Sequence, residues 1–320
     1  MFNKTAFSAK HIQSVTLYLG LLFISGPGFA LNIFACEPEW QALAHEIAGP
    51  DVEVYVATSA QQDPHHVQPR PSLISAVRRA DVVFCTGAGL EAGWLPVLLS
   101  KGSNPRVQRA PGLFLAAEQV TLLEKPIVLD RADGDVHASG NPHVHLDPRR
   151  MLIIAQALSA RLAEIDPNNA TLYQNRLASF SQRWESNIET WQSQARTLKG
   201  ATVIVHHRSW SYLLDWLALE QVGELEPKPG IPPTPTHLAK LINVAETQRP
   251  YAIIYTNYNG DKAANWLAER SSVCALALPF TVETTNSNAA SFDINKHPLD
   301  ELFNTIISKL LAERGACTHD

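Results

Sequence analysis

The sequence predicts an α/β protein of two lobes, each a parallel sheet flanked by helices, joined by one long rigid helix, with a metal site in the cleft. Two observations carry the architecture and a third carries the site. Short apolar runs of strand type alternate with helical patterns in both halves of the 320 residues, and one long amphipathic pattern lies between them. Histidines gather in the segments that follow strands. With 45% hydrophobic residues the chain can fill one large core or two smaller ones. A net charge of −5 with only 18% charged residues leaves no basic stripe, which excludes nucleic acid and anionic lipid as expected partners.

Taken in order, Lys4, Lys10 and His11 precede an apolar stretch from Val15 to Ile24, and Gly26, Pro27 and Gly28 break it. The run is about ten residues, short of the ~20 a spanning helix needs, and Gly28-Phe29-Ala30 fits a small-x-small cleavage site. Residues 1–30 are therefore read as a signal peptide cleaved near Ala30. The strand-like runs "LNIFA", "VEVYVA", "DVVFCTG" and "PIVLD" then build an N-terminal lobe over 31–147. A helical segment over 148–199 follows. In it Tyr173, Leu177, Phe180, Trp184, Ile188, Trp191, Ala195 and Leu198 step by three or four, behind Asp166 as N-cap and Pro167 at the first helical position. At 1.5 Å per residue this helix runs on the order of 45 Å, too long for the inside of one small lobe, so it reads as a strut. It has no sustained heptad repeat of the coiled-coil kind. The runs "ATVIV", "YAIIYTN" and "ALALPFTV" build a C-terminal lobe over 200–320, with a proline-stiffened loop from Glu226 to Leu238 before a helix at Thr236.

Four cysteines in an exported chain admit three pairings. Position within the halves favours Cys36–Cys85 and Cys274–Cys317, with buried free thiols the alternative for the first pair. No C-x-x-C is present, which argues against a redox motif or a thiolate zinc site.

Of twelve histidines, His65 and His66 fall in "DPHHVQPRPS", His137, His143 and His145 in "DVHASGNPHVHLDP", and His206 and His207 in "VIVHHRSWSY". Segments after strands converge on the ligand crevice of an open α/β sheet, so the three clusters can meet there. Three imidazoles suit Zn²⁺ better than Mn²⁺ or Mg²⁺, which prefer oxygen. Asp147 before Pro148 reads as a helix N-cap.

In order around a long central helix, "DPHHVQPRPS", "GNPHVHLDP", "HHRSWSYLLDWLALE", "EPKPGIPPTP" and "LPFTV" resemble the periplasmic zinc-binding proteins of ABC importers, the metal-binding cluster A-I family. The resemblance covers essentially the whole mature chain. It implies two similar lobes, a rigid connecting helix, and capture of Zn²⁺ for an ABC-type permease in the inner membrane. A zinc chaperone is a candidate second partner, and the protein is expected to be a periplasmic monomer and not an enzyme. Matched residue by residue, it implies His65, His143 and His207 as ligands. His66, His206 and His145 are then expected behind the ligands or at the rim of the site, and His137 as an accessory in a loop that lacks the long His-rich insertion of some relatives. Residues two apart in an extended segment point the same way, so His145 stays a candidate for approaching the metal. For the fourth ligand the resemblance implies a carboxylate where this chain has "TVETTNSN". Glu283 is the expected residue, with Asn286 where an aspartate would stand, and water or Asp293 as alternatives.

Two other functions remain open on the sequence. An exported zinc hydrolase would exploit H-x-H and an open three-histidine zinc, with Glu283 as its base. A metal-binding adhesin on the same fold is the other. No cysteine directly follows the signal, since Cys36 lies in the first strand, so the expectation is a soluble periplasmic protein.

Overall fold

The computed structural model describes Met1, residues 31–127, Gly134, residues 137–283 and residues 296–316. The signal-peptide reading, Asn286, Asp293 and Cys317 fall outside the described residues. In the N-terminal half, β1 (Asn32–Ala35), β2 (Glu53–Val56), β3 (Val82–Cys85) and β4 (Leu113–Leu115) form one sheet, with α1 (Pro38–Ala48), α2 (Pro71–Arg79) and α3 (Leu95–Gly102) between them. All pairings are parallel, in the order β2-β1-β3-β4. β3 is buried along its whole length, as a central parallel strand covered on both faces must be, so it reads as an unbroken apolar run.

Two helices connect the lobes. α4 (Pro148–Ile165) starts where predicted, with Asp147 accepting from the Arg149 backbone N–H and Pro148 in the first turn. α5 (Ala170–Ala195) is the long helix, flanked by 3-10 turns at Pro167–Asn169 and Arg196–Leu198. Asp166 stands at the predicted start, but its carboxylate takes the Tyr173 hydroxyl and the Asn169 amide in place of a backbone N–H.

The C-terminal half repeats the first. β5 (Thr202–Val205), β6 (Glu220–Glu224), β7 (Ala252–Tyr255) and β8 (Ala275–Ala277) make a parallel sheet in the order β6-β5-β7-β8. α6 (Ser211–Leu217), α7 (Pro235–Gln248) and α8 (Lys262–Ala268) connect its strands, and α9 (Pro298–Ala316) closes the described chain. Thr234 caps α7, two residues before the predicted start. The fourth strand of the first sheet is a correction to the sequence reading. It is Leu113–Leu115, whereas Pro126 and Ile127 of "PIVLD" are not in a strand and the rest of that run lies outside the described residues.

Each sheet changes direction of winding between its two central strands, β1 and β3 or β5 and β7, which opens a crevice at their carboxyl ends. The lobes share one apolar core. Ile33 and Phe84 of the first sheet, Trp184 and Trp191 of α5, Phe303 of α9 and Ile254 of β7 belong to a single buried cluster. Smaller clusters fill the outer face of each sheet. Cys36 and Cys85 form the expected disulfide across β1 and β3. Cys274 is also disulfide-bonded, while its expected partner, Cys317, is not among the described residues.

Candidate metal centre

The three candidate ligands lie on three loops, and each loop is stiffened by its own sequence. After β2 the chain turns at Asp63-Pro64-His65, where Asp63 Oδ1 accepts from the His65 backbone N–H at 2.9 Å and lies 2.7 Å from its Nδ1. Trp94 Nε1 donates to the Pro64 carbonyl and pins this turn to the lobe. The same construction recurs at Asn141-Pro142-His143. Asn141 Oδ1 accepts from the His143 backbone N–H at 3.0 Å and lies 2.8 Å from its Nδ1. Asn141 is itself held from the other lobe, donating to the Arg208 carbonyl and presenting its own carbonyl to the Tyr212 hydroxyl. His207 follows β5 in extended backbone, with Glu226 Oε2 2.7 Å from its Nδ1.

In each case an acceptor takes the Nδ1 proton, which fixes the tautomer and turns the Nε2 lone pair inward. The rings form a nearly equilateral triangle, with centroids 5.7 Å (His65–His143), 5.8 Å (His65–His207) and 5.8 Å (His143–His207) apart. One ligand atom from each lies within 4.8 Å of the others. His143 Nε2 is buried with no hydrogen-bond partner among the described residues. A buried, unpaired acceptor aimed at two others is costly unless a cation meets it.

The electrostatics agree. Burial pushes His143 well below the ordinary imidazole range, and the neighbouring His65 and His207 push it further. His207 is different. Burial alone would lower it, but the hydrogen bond and charge of Glu226 outweigh burial and raise it. Asp63 is held below the usual carboxylate range, because the hydrogen bond and charge of His65 exceed the opposing effect of burial. The outcome is three imidazole donors, two with a carboxylate and one with an amide oxygen one hydrogen bond further out, which polarise imidazole toward a metal.

The remaining predicted residues separate. His137 reaches the cluster, its Nε2 3.2 Å from His65 Nε2. His66 is exposed, its ring 6.2 Å from that of His65. His206 is buried beside Glu226, Nε2 4.0 Å from Oε1. His145 turns away, which corrects the extended-segment expectation. Val144–Leu146 is a 3-10 turn, in which neighbours two apart project to different sides. Its Nε2 lies 2.9 Å from the Phe280 carbonyl and its Nδ1 3.3 Å from Glu39 Oε1.

Glu283 is not brought to the three rings. It is exposed, and its Oε2 accepts from Gln61. The segment after β8 instead presents Phe280, whose ring lies 5.6 Å from that of His143 and 4.8 Å from that of His145. Asp63, Asn141 and Glu226 were not singled out in the sequence as holders of the rings. The signal that could have found two of them is the repeated acid-or-amide, proline, histidine triplet.

A family model described as ZnuA, zinc-uptake complex component A, periplasmic, matches residues 33–303. The chain is 23% identical over 233 residues to the zinc-binding lipoprotein AdcA of Streptococcus pneumoniae, covering 71% of this chain and 45% of AdcA. It is 24% identical over 216 residues to the manganese-binding lipoprotein MntA of Halalkalibacterium halodurans, 67% of each. The chain thus spans about half to two thirds of the length of these curated relatives. A crystal structure of ZnuA superposes with a TM-score of 0.70 at 23% identity, over 88% of this chain and 99% of that one, a likeness of fold.

Proposed function

Because the chain belongs to the ZnuA family of periplasmic zinc-uptake components, we propose that it is the substrate-binding protein of a metal ABC transporter. Its cargo is Zn²⁺, held by His65, His143 and His207, carried in the periplasm and delivered to the permease. The observation that carries this reading is the convergence of three Nε2 lone pairs whose Nδ1 atoms are each tied outward. Relatives named for zinc and for manganese both match, so the choice of metal rests on the donors. Imidazole nitrogen favours Zn²⁺ over Mn²⁺ in intrinsic affinity and in ligand preference.

A hydrolase would need a general base within reach of a metal-bound water. Asp63 and Glu226 are committed to imidazole Nδ1 atoms, and Glu283 is exposed against Gln61, so the site holds cargo better than it does chemistry. The test is metal content of the chelator-stripped protein after exposure to equimolar Zn²⁺, Mn²⁺ and Cu²⁺. Wild type and His145→Ala should retain one zinc per chain, and His143→Ala should fall far below one. Equal stoichiometry in all three proteins would remove the proposed site.

A further inference from the structure

We infer that His137 is the fourth metal ligand, closing an all-imidazole site that selects Zn²⁺ against oxygen-preferring ions. The inference rests on the metal-binding reading above and deepens it. Its first support is a distance. His137 Nε2 lies 3.2 Å from His65 Nε2. Two nitrogens on one tetrahedral zinc, each at its usual bond length, are separated by about 3.3–3.4 Å.

The second support is which edges of the two rings meet. His65 gives its Nδ1 proton to Asp63, so its Nε2 carries a lone pair. The ring of His137 is seated on the Gly87-Ala88-Gly89 turn, whose three residues all have positive φ. A Cβ at Gly89 would stand 3.3 Å from His137 Nδ1, so Nδ1 is the edge facing the turn. That leaves the Nε2 edge of His137 as the one turned to His65. Two imidazole Nε2 atoms that face each other at 3.2 Å are placed to share one cation.

The third support is access. His137, His143 and His207 line one cavity, walled by Glu124, Lys125 and Arg208. His137 is therefore on the open side of the three-histidine triangle, where a fourth ligand must enter. Phe280 stands beside His143, and Glu283, the expected carboxylate, is exposed against Gln61. The ligand atoms of His65, His143 and His207 lie within 4.8 Å of one another, while the His137 ring stands 6.4 Å from that of His143, so metal binding has to draw the other rings toward the His65–His137 pair.

The experiment compares zinc-loaded wild type, His137→Ala, Glu283→Gln and His143→Ala by zinc K-edge X-ray absorption and by Zn²⁺/Mn²⁺ competition. Wild type should fit four imidazole nitrogens at about 2.0 Å. His137→Ala should fit three nitrogens and one oxygen, with zinc affinity and the Zn²⁺-over-Mn²⁺ preference each reduced at least about tenfold, no less than loss of an outer hydrogen-bond partner costs. Glu283→Gln should match wild type. The inference is overturned if His137→Ala is indistinguishable from wild type, or if Glu283→Gln is the variant that loses a ligand. Undiminished zinc in His143→Ala would overturn the three-histidine reading itself, an outcome separable from the other two.

Discussion

Glu226 serves two groups at once, accepting at Oε2 from His207 and from the Gly230 backbone N–H. Glu226→Gln keeps the size and one acceptor but removes the charge behind the imidazole. It should weaken zinc by about 10–100-fold, the usual effect of losing a ligand's outer partner. Titration against a chromophoric chelator checks this, with unchanged affinity as the contrary result. The triplets Asp63-Pro64-His65 and Asn141-Pro142-His143 were readable as histidine-bearing turns, because proline and the preceding short polar side chain fix the geometry locally. Glu226 and Phe280 were not readable, since each meets its histidine through the packing of separate elements. A second residue-scale prediction concerns Glu37 and Glu91, each 2% exposed. Burial raises both, Glu91 to about 7, although Glu91 also accepts the backbone N–H groups of Thr86 and Gly87. A carboxyl whose folded pKa is raised stabilises the fold fully below its unfolded pKa and loses that contribution as pH rises through the folded value. From about pH 4.5 to 7, wild type should therefore lose stability relative to Glu91→Gln, by at most about 1.4 kcal/mol per pH unit, and the difference should level off above that. Urea unfolding at pH 5, 6, 7 and 8 measures it, and parallel curves would contradict the assignment.

Among the elements, α5 was the most legible and the edge strands the least. The three-four spacing from Tyr173 to Leu198 survives as the buried stripe Tyr173, Phe180, Trp184, Trp191, Ala195 and Leu198. β4 has only three residues, and β6 reads Glu-Gln-Val-Gly-Glu, so neither carries an apolar run that periodicity can detect. Both are edges of their sheets, where burial on two faces is not required. The weight on α5 is concentrated at Trp184. Its ring stacks on Phe180 at 5.2 Å and meets Trp191 and Phe303 edge-on, while Nε1 donates to the Pro148 carbonyl at the start of α4. Trp184→Ala should cost about 3–5 kcal/mol, the range for removing a large buried aromatic ring. Denaturant unfolding of the metal-free variant reads the loss directly, and a cost below 1 kcal/mol would show that the stripe is not the joint between α4 and α9.

The molecule as a whole has two sheets but one main core, and this sets how far the lobes can move. The shared cluster runs from β1 through α4 and α5 to β7 and α9, and polar ties cross the cleft above it. Thr281 donates to Glu39, the Tyr212 hydroxyl donates to the Asn141 carbonyl, and Arg183 of α5 reaches Glu46 of α1 and Asp300 of α9. Opening the lobes as a wide hinge would split that core and strand Glu39, which is 1% exposed. On the proposed function, metal capture and release would proceed by movement of the histidine loops and small shifts of the lobes, in keeping with a helical strut in place of flexible crossing strands. The same continuity predicts one cooperative unfolding transition for the two lobes. Far-UV dichroism, which follows the helices, and tryptophan fluorescence, which follows the core, should give one midpoint for the metal-free protein. Free zinc at 100 times its dissociation constant should raise stability by about 2.7 kcal/mol by mass action, moving both probes together. Separate midpoints, or a shift in only one probe, would mean that the lobes fold independently, and the argument against a wide hinge would then fail with the shared core.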